Sequence, residues 1–449
     1  MFDKILIANR GEIALRIMRA ARELGIRTVA VYSLEDFNTY PVKYADEAVN
    51  IGSMSDTESY LSIPKIIETA QSTGAQAIHP GCGFLAEDAQ FARACAEAGI
   101  VFIGPSPECI ERMGDRSVAR GVLRACGVPV VPGSAGVVES AEDARNVARR
   151  LGYPVVVKAA AGSGKDAVIV RDPSDIEQQF EIARAAAAVV YGNDGVYIEK
   201  LVPDARHVEV QVLGDGFGNR VALCERDCSV QLDHRKLVEE SPSPAVSSDL
   251  RRAMSVAAVK ALRALDYQGA GSVEFLLASD GSFHFVGMGT CLPVEHAVNE
   301  QVTGVDIVKE QIRIAAGEPM SCCDRGRFEP FGHAIELRID ARDPENGFSP
   351  CPGTIARFEA PSGPGVRVET YARTGSRVSP HYDPLVAKLV VYGQDRAEAI
   401  ARGRRALDEF VIEGVPTTIP FNRRVLDNEV FCAGEATTDF IEAQMGDLL

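Results

Sequence analysis

Over residues 1–110, short apolar runs alternate with amphipathic stretches. Lys4–Ala8, Thr28–Tyr32, Glu47–Ile51, Gln76–His79 and Val101–Ile103 read as buried strands. Glu12–Leu24, Ile63–Ser72 and Asp88–Ala98 read as helices between them. This alternation predicts a parallel, doubly wound sheet. Asn9-Arg10-Gly11-Glu12 falls where the first strand turns into a helix, a natural ligand or interface position. No full G-x-G-x-x-G follows, which disfavours a NAD site.

A helix from Pro107 to Ala125 leads to a Cys126-Gly127-Val128-Pro129 break, a hinge signal. Residues 130–203 then make a small unit of strands Val155–Lys158, Ala167–Val170 and Gly195–Lys200 with helix Ser174–Ala188. Its size suits a mobile lid. Arg206–Val212 alternates polar and apolar residues, so His207, Glu209 and Gln211 share one face, which by pattern alone is as readily solvated as functional. Further on, Glu274 sits in the apolar strand Ser272–Leu277. An Asp280-Gly281 turn and a second strand, Ser282–Met288, complete a hairpin signal that places position 287 beside Glu274. Strands Gly332–Ile339 and Leu385–Tyr392 mix with helix Ala397–Phe410 toward the C-terminus.

At 449 residues the chain exceeds the usual size of one core. A hydrophobic content of 46% with 24% charged residues is ordinary for a soluble globular protein. The net charge of −16, without a basic run, argues against a nucleic-acid partner and requires local basic residues at any phosphate site. The 11 cysteines include no Cys-x-x-Cys pair, and Cys224-x3-Cys228 lacks a matching second pair, so inert cytosolic thiols are expected rather than zinc. There is no signal-peptide pattern, and no apolar stretch nears the ~20 residues that span a bilayer. A cytoplasmic protein away from membranes is the expectation.

Taken together, Ile7-Ala8-Asn9-Arg10-Gly11-Glu12-Ile13-Ala14, His79-Pro80-Gly81-Cys82-Gly83-Phe84-Leu85, Phe102-Ile103-Gly104-Pro105 and Glu225-Arg226-Asp227-Cys228-Ser229 resemble the biotin carboxylase family. Gly269-Ala270-Gly271, Val294-Glu295-His296, Glu336-Leu337-Arg338-Ile339 and Tyr382-Asp383 extend the likeness over nearly the whole chain. The resemblance implies an α/β chain in three parts. Residues 1–113 would form the N-terminal doubly wound (pre-ATP-grasp) domain. Residues 114–318 would form the ATP-grasp core with its lid, and 330–445 a C-terminal α+β domain. It also implies ATP- and bicarbonate-dependent carboxylation of biotin, with magnesium.

By the same resemblance Arg116, Lys158, Gly162, Gly164, Glu199, Lys200, Val202, His207, Gln231 and His234 bind the nucleotide, and Glu274 the metal. Lys236 clamps bicarbonate, Glu295 is the general base, and Arg338 stabilises the biotin enolate. None of the 8 methionines is followed by lysine, so the expected partners are a separate biotin carrier or a carboxyltransferase subunit. Arg16, Arg19, Glu23 and Arg367 take positions that form a two-fold dimer in the family, where opposite charges can pair across an isologous interface.

Several positions depart from the family pattern. The glycine-rich loop reads Ala159-Ala160-Ala161-Gly162-Ser163-Gly164-Lys165-Asp166-Ala167 and is one residue shorter. Gly287 replaces a second metal glutamate, Gly289 an asparagine, Cys291 an arginine, Pro293 a glutamine, and Cys82 a tyrosine near biotin. Each lost electrostatic group costs about 10²–10³ in rate. The expectation is retained ATP binding with carboxylation weakened or redirected to another small acid or acceptor. The alternative is a nucleotide-binding pseudoenzyme acting as scaffold or regulatory subunit. Asp233 and Arg235 are candidates to compensate, and Cys291 invites a nucleophile reading without an identifiable base.

Overall fold

The structure, a computed structural model, describes residues 1–161, 167–322 and 328–446. Strands β1 (Lys4–Ile7), β2 (Arg27–Ser33), β3 (Glu47–Gly52), β4 (Ala77–His79) and β5 (Val101–Phe102) form one sheet in the order β3-β2-β1-β4-β5. Every pairing in it is parallel, as the alternation predicts. Ile5, Leu6 and Ile7 are fully buried because helices cover both faces of such a sheet. Helix Gly11–Glu23 starts directly after β1, with Gly11 at φ 67°, a conformation that favours glycine.

The segment expected as one helix from Pro107 to Ala125 is two, Pro107–Gly114 and Arg116–Ala125. Asp115 between them is extended, and its carboxylate accepts from Val118 N–H at 3.0 Å as the N-cap of the second helix. Arg116 N–H then donates to the Ala160 carbonyl at 2.9 Å, tying this helix start to the lid. The lid holds an antiparallel sheet of β6 (Val155–Ala159), β7 (Val168–Val170) and β8 (Val196–Lys200), ordered β7-β6-β8. Helices Ala141–Leu151 and Ile176–Tyr191 back it around its own core of Ala144, Ala148, Val157, Phe180 and Ile198.

The largest sheet is antiparallel. It contains β9 (Arg206–Gly214), β10 (Arg220–Leu232), β11 (Arg235–Ser241), β12 (Gly269–Leu277), β13 (Phe283–Gly289) and β14 (His333–Asp340). Strands Leu385–Gly393 and Val366–Thr370 extend it, in the order β13-β12-β9-β10-β11-β14 followed by those two. The C-terminal strands thus continue the central sheet through the β11–β14 pairing. The β10–β11 turn is made by Asp233 and His234, at φ 49° and 60°. Two successive left-handed residues match the right-handed twist of a tight hairpin. No helix among the described residues is long and apolar enough to cross a membrane.

Candidate active site

Two cavities meet on this sheet. The inner one, of about 430 Å³, lies between the lid and the face of the central sheet. It is lined by Arg116, Lys158, Glu199, Lys200, Val202, His207, Gln231 and His234, together with Glu274 and Lys236. Every described residue expected on the nucleotide side is therefore on one wall set; Gly162 and Gly164 lie outside the described residues. Lys158 pairs with buried Glu199 at 2.8 Å, and Arg120 holds the other Glu199 oxygen at 2.8 Å. Burial lowers the Lys158 pKa, but Glu199 more than offsets it, so the ammonium keeps its charge for a phosphate. Lys200 donates to the Gly152 and Tyr153 carbonyls at 2.8 and 3.1 Å, so its side chain braces the lid. The His234 pKa is lowered by burial and by the Lys158, His207 and Arg116 charges, which leaves a neutral ring.

The outer cavity, of about 420 Å³, opens between the N-terminal sheet and the C-terminal strands. Asn9, Arg10, Gly11, Glu12, Cys82, Arg235, Lys236, Arg338, Asp340 and Tyr382 are among its lining residues. The first strand-to-helix turn is thus part of a cavity wall, as its position suggested. Arg235 reaches this wall, whereas Asp233 lies exposed on the turn and lines neither cavity.

Between the cavities stands a buried charge network. Lys236 donates to Glu209 and to Glu295, the latter at 2.5 Å. Arg338 holds Glu295 at 3.0 Å and Glu239 at 2.5 Å. Arg226, with no exposed side-chain surface, pairs with Glu209 at 2.5 Å and donates to Gln211 and Asn299. The structure therefore brings Lys236, Glu295 and Arg338 together. Burial pushes the Glu295 carboxyl up, but Lys236, Arg226 and Arg338 outweigh it and hold it well below the usual carboxylate range. In this arrangement Glu295 is a weak base. An anion that draws Lys236 away would raise its basicity toward the range useful for proton transfer.

Glu274 pairs with Gly287 across β12–β13, and Ser272 pairs with Gly289. A Cβ built at position 287 would lie 3.0 Å from Glu274 Oε2, so a second acidic side chain there would meet Glu274. One carboxylate, with waters and nucleotide phosphates, is a sufficient ligand set for magnesium. Burial raises the Glu274 pKa, but His207, Lys236 and Arg116 pull it down to about 2, so the carboxylate stays charged. Burial, then Glu87 and Cys82, push the Cys291 thiol well up, and Cys82 rises to about 12 mainly by burial. Neither is a thiolate nucleophile at neutral pH.

Comparison with known proteins follows this geometry closely. The family model "Biotin carboxylase, N-terminal domain" matches residues 1–110. "Carbamoyl-phosphate synthase L chain, ATP binding domain" matches 115–323, and "Biotin carboxylase C-terminal domain" matches 336–443. The chain belongs to the biotin carboxylase family. It is 50% identical over 442 residues to a biotin carboxylase of Nostoc sp., covering 98% of this chain and 99% of that one. It is 49% identical over 445 residues to biotin carboxylase 1 of Bacillus subtilis, covering 98% of each. A Campylobacter jejuni biotin carboxylase solved as a βγ-ATP complex superposes with a TM-score of 0.96 at 41% identity, covering 99% of both chains. The biotin carboxylase domain dimer of Hydrogenobacter thermophilus 2-oxoglutarate carboxylase, holding MgADP, ADP and bicarbonate, gives 0.96 at 42%, covering 100% and 99%. ATP and magnesium are the cofactors of this family.

Several participants escaped the sequence reading. The face of His207, Glu209 and Gln211 is not solvated: Glu209 and Gln211 are fully buried. Arg226, Glu239 and Lys388 also lie buried, and Lys388 donates to the Val294 carbonyl at 2.7 Å, beside Glu295. For Lys388 the signal was a charged residue inside the otherwise apolar strand Leu385–Gly393. The charges expected at a dimer interface also make ion pairs within the chain. Arg16 holds Glu300 and Asp306, Arg19 holds Glu369, Lys309 holds Glu23, and Arg367 holds Glu300 and Glu369.

Proposed function

We propose that this chain is an ATP-binding ligase of biotin-carboxylase type whose metal and anion end has diverged. Its carboxylation of biotin is slow, or its activated acid or acceptor is a different small molecule. The inner cavity carries the nucleotide half of this reading, since Arg116, Lys158, His207 and His234 converge on one wall set with Glu274. Magnesium bound at Glu274 would neutralise phosphate charge during transfer. Lys236 orients the acid, Glu295 takes a proton once Lys236 is drawn off, and Arg338 steadies a developing enolate oxygen in the outer cavity.

The replaced positions support divergence: Gly287 supplies no carboxylate beside Glu274 across β12–β13, Cys291 offers a neutral thiol in place of a guanidinium, and Pro293 has no side-chain donor. The same glycines favour a second reading, a nucleotide-binding scaffold or regulatory subunit without turnover. A separate biotin carrier, a carboxyltransferase partner and a two-fold dimer complete the proposal, the last supported by the Hydrogenobacter thermophilus dimer. The domain limits 1–113, 114–318 and 330–445 are likewise proposed.

Calorimetry with ATP and ADP release with magnesium, bicarbonate and free biotin decide between these readings. Bicarbonate-dependent ADP release supports the ligase. Tight ATP binding with no turnover across a panel of small acids and amines supports the scaffold. Absence of ATP binding overturns both nucleotide readings.

A further inference from the structure

Helix Arg116–Ala125 carries a polar stripe that belongs to neither the inner nor the outer cavity. Ser117, Arg120, Gly121 and Arg124 stand at i, i+3, i+4 and i+7, which is one face of a helix. That face lines a third cavity, of about 320 Å³, opposite Tyr197 on β8 and the segment 130–136 that enters the lid. Its size is that of a small-molecule site, and no acidic residue is among its described lining residues. Tyr197 is only 1% exposed, yet its hydroxyl has no hydrogen-bond partner among the described residues. A buried hydroxyl in that state calls for a ligand. Arg124 likewise makes no ion pair among the described residues. The helix dipole favours a cation in the last turn in any case, so Arg124 alone would not make a site. Gly121 adds to it. Glycine is less favourable than alanine inside a helix, and here it has no left-handed φ and nothing within 4 Å of a Cβ built on it. Packing does not require this glycine; its missing side chain leaves the cavity wall bare.

We propose that Arg124, Tyr197 and Ser117 bind the phosphate group of a small phosphorylated molecule in this hinge cavity. The Arg124 guanidinium offers a fork of donors that suits a phosphate, and the two hydroxyls donate from the helix and from β8. Arg120 is already engaged: it donates to the Val131 carbonyl at 2.7 Å and pairs with Glu199 at 2.8 Å. Its part is to anchor the wall. The space over Gly121, bounded by Ala125, Val130 and Ala135, leaves room for an uncharged organic part of the ligand.

The test uses the full chain without nucleotide, so it fails separately from the ligase reading. Inorganic phosphate is the probe, titrated against the chain and followed by phosphorus NMR line broadening. A saturable site is expected that Lys158→Ala, which removes an inner-cavity cation, leaves unchanged. Arg124→Ala should weaken it at least about tenfold, the loss expected of one charge-assisted hydrogen bond, and Tyr197→Phe should weaken it severalfold. Gly121→Glu sets a carboxylate on the cavity wall beside Arg124 and should abolish binding, with a melting temperature unchanged or higher. Thermal melts establish that each variant is folded. Lack of binding at millimolar phosphate, binding unchanged in folded Arg124→Ala, Tyr197→Phe or Gly121→Glu, or binding lost in folded Lys158→Ala overturns the proposal.

Discussion

A Cβ at position 287 would lie 3.0 Å from Glu274 Oε2, so a side chain there would stand beside that carboxylate, and a guanidinium at 291 would replace a thiol that burial keeps neutral. Restoring Gly287→Glu, Gly289→Asn and Cys291→Arg together is therefore expected to raise bicarbonate-dependent ADP release by at least ~10²-fold, the contribution of one preorganised group. No gain in a steady-state assay means that the pocket serves another substrate. Arg226, large and fully buried, bears on stability. Arg226→Ala leaves buried Glu209 with Lys236 and deprives Gln211 and Asn299 of their donor, so about 1–3 kcal/mol of unfolding free energy should disappear in urea titrations. Glu336 gives the pH dependence. Burial pushes its carboxyl up from 4.5 to about 8, with Lys388 and Arg338 opposing and Glu239 and Glu295 adding to the rise. The folded chain then holds the proton more tightly than the unfolded one. The stabilisation is complete below the ordinary carboxyl range and is lost as pH climbs through about 8. Stability measured between about pH 6 and about pH 9 should fall in the native chain and stay flatter in Glu336→Gln. At this scale the cavity-lining Lys158, His207, Lys236 and Arg338 were legible, because their types carry chemistry. Glu209, Arg226 and Glu239 were not, because their roles depend on partners from distant strands.

Elements were easier to read than residues. The parallel sheet and the Glu274–Gly287 hairpin follow from local periodicity and a single turn, and both sit where the pattern placed them. The break at Asp115 falls on Gly114-Asp115, a helix-stop and N-cap signal that the reading of one long helix passed over, and a contact with Ala160 in the lid secures it. That break matters because it starts a helix at Arg116 on the cavity wall. Asp115→Ala should cost about 1 kcal/mol through the lost cap and, by loosening Arg116, weaken ATP binding in calorimetry. In the β10–β11 turn, Asp233→Gly should leave stability unchanged or higher by up to ~1 kcal/mol, whereas Asp233→Val should lower it by about 1–2 kcal/mol. Paired thermal melts check both.

For the whole molecule, the important fact is where sheets join and where they do not. The central sheet passes without interruption from β11 into β14, so those parts of the chain should unfold as one unit. The lid has only a three-stranded sheet and a small core of its own. Hydrogen exchange should therefore be faster in Val155–Ala159 and Val196–Lys200 than in β9 and β10, and ATP should slow it in the lid. This hierarchy was hidden from the sequence, since pairing between strands distant along the chain leaves little local trace. Lys236, finally, belongs to the walls of both cavities. Whatever draws its ammonium toward one chamber withdraws it from the other. Each compartment must then report on its neighbour: a small anion lodged outside shifts nucleotide affinity by the same factor with which nucleotide shifts the anion's.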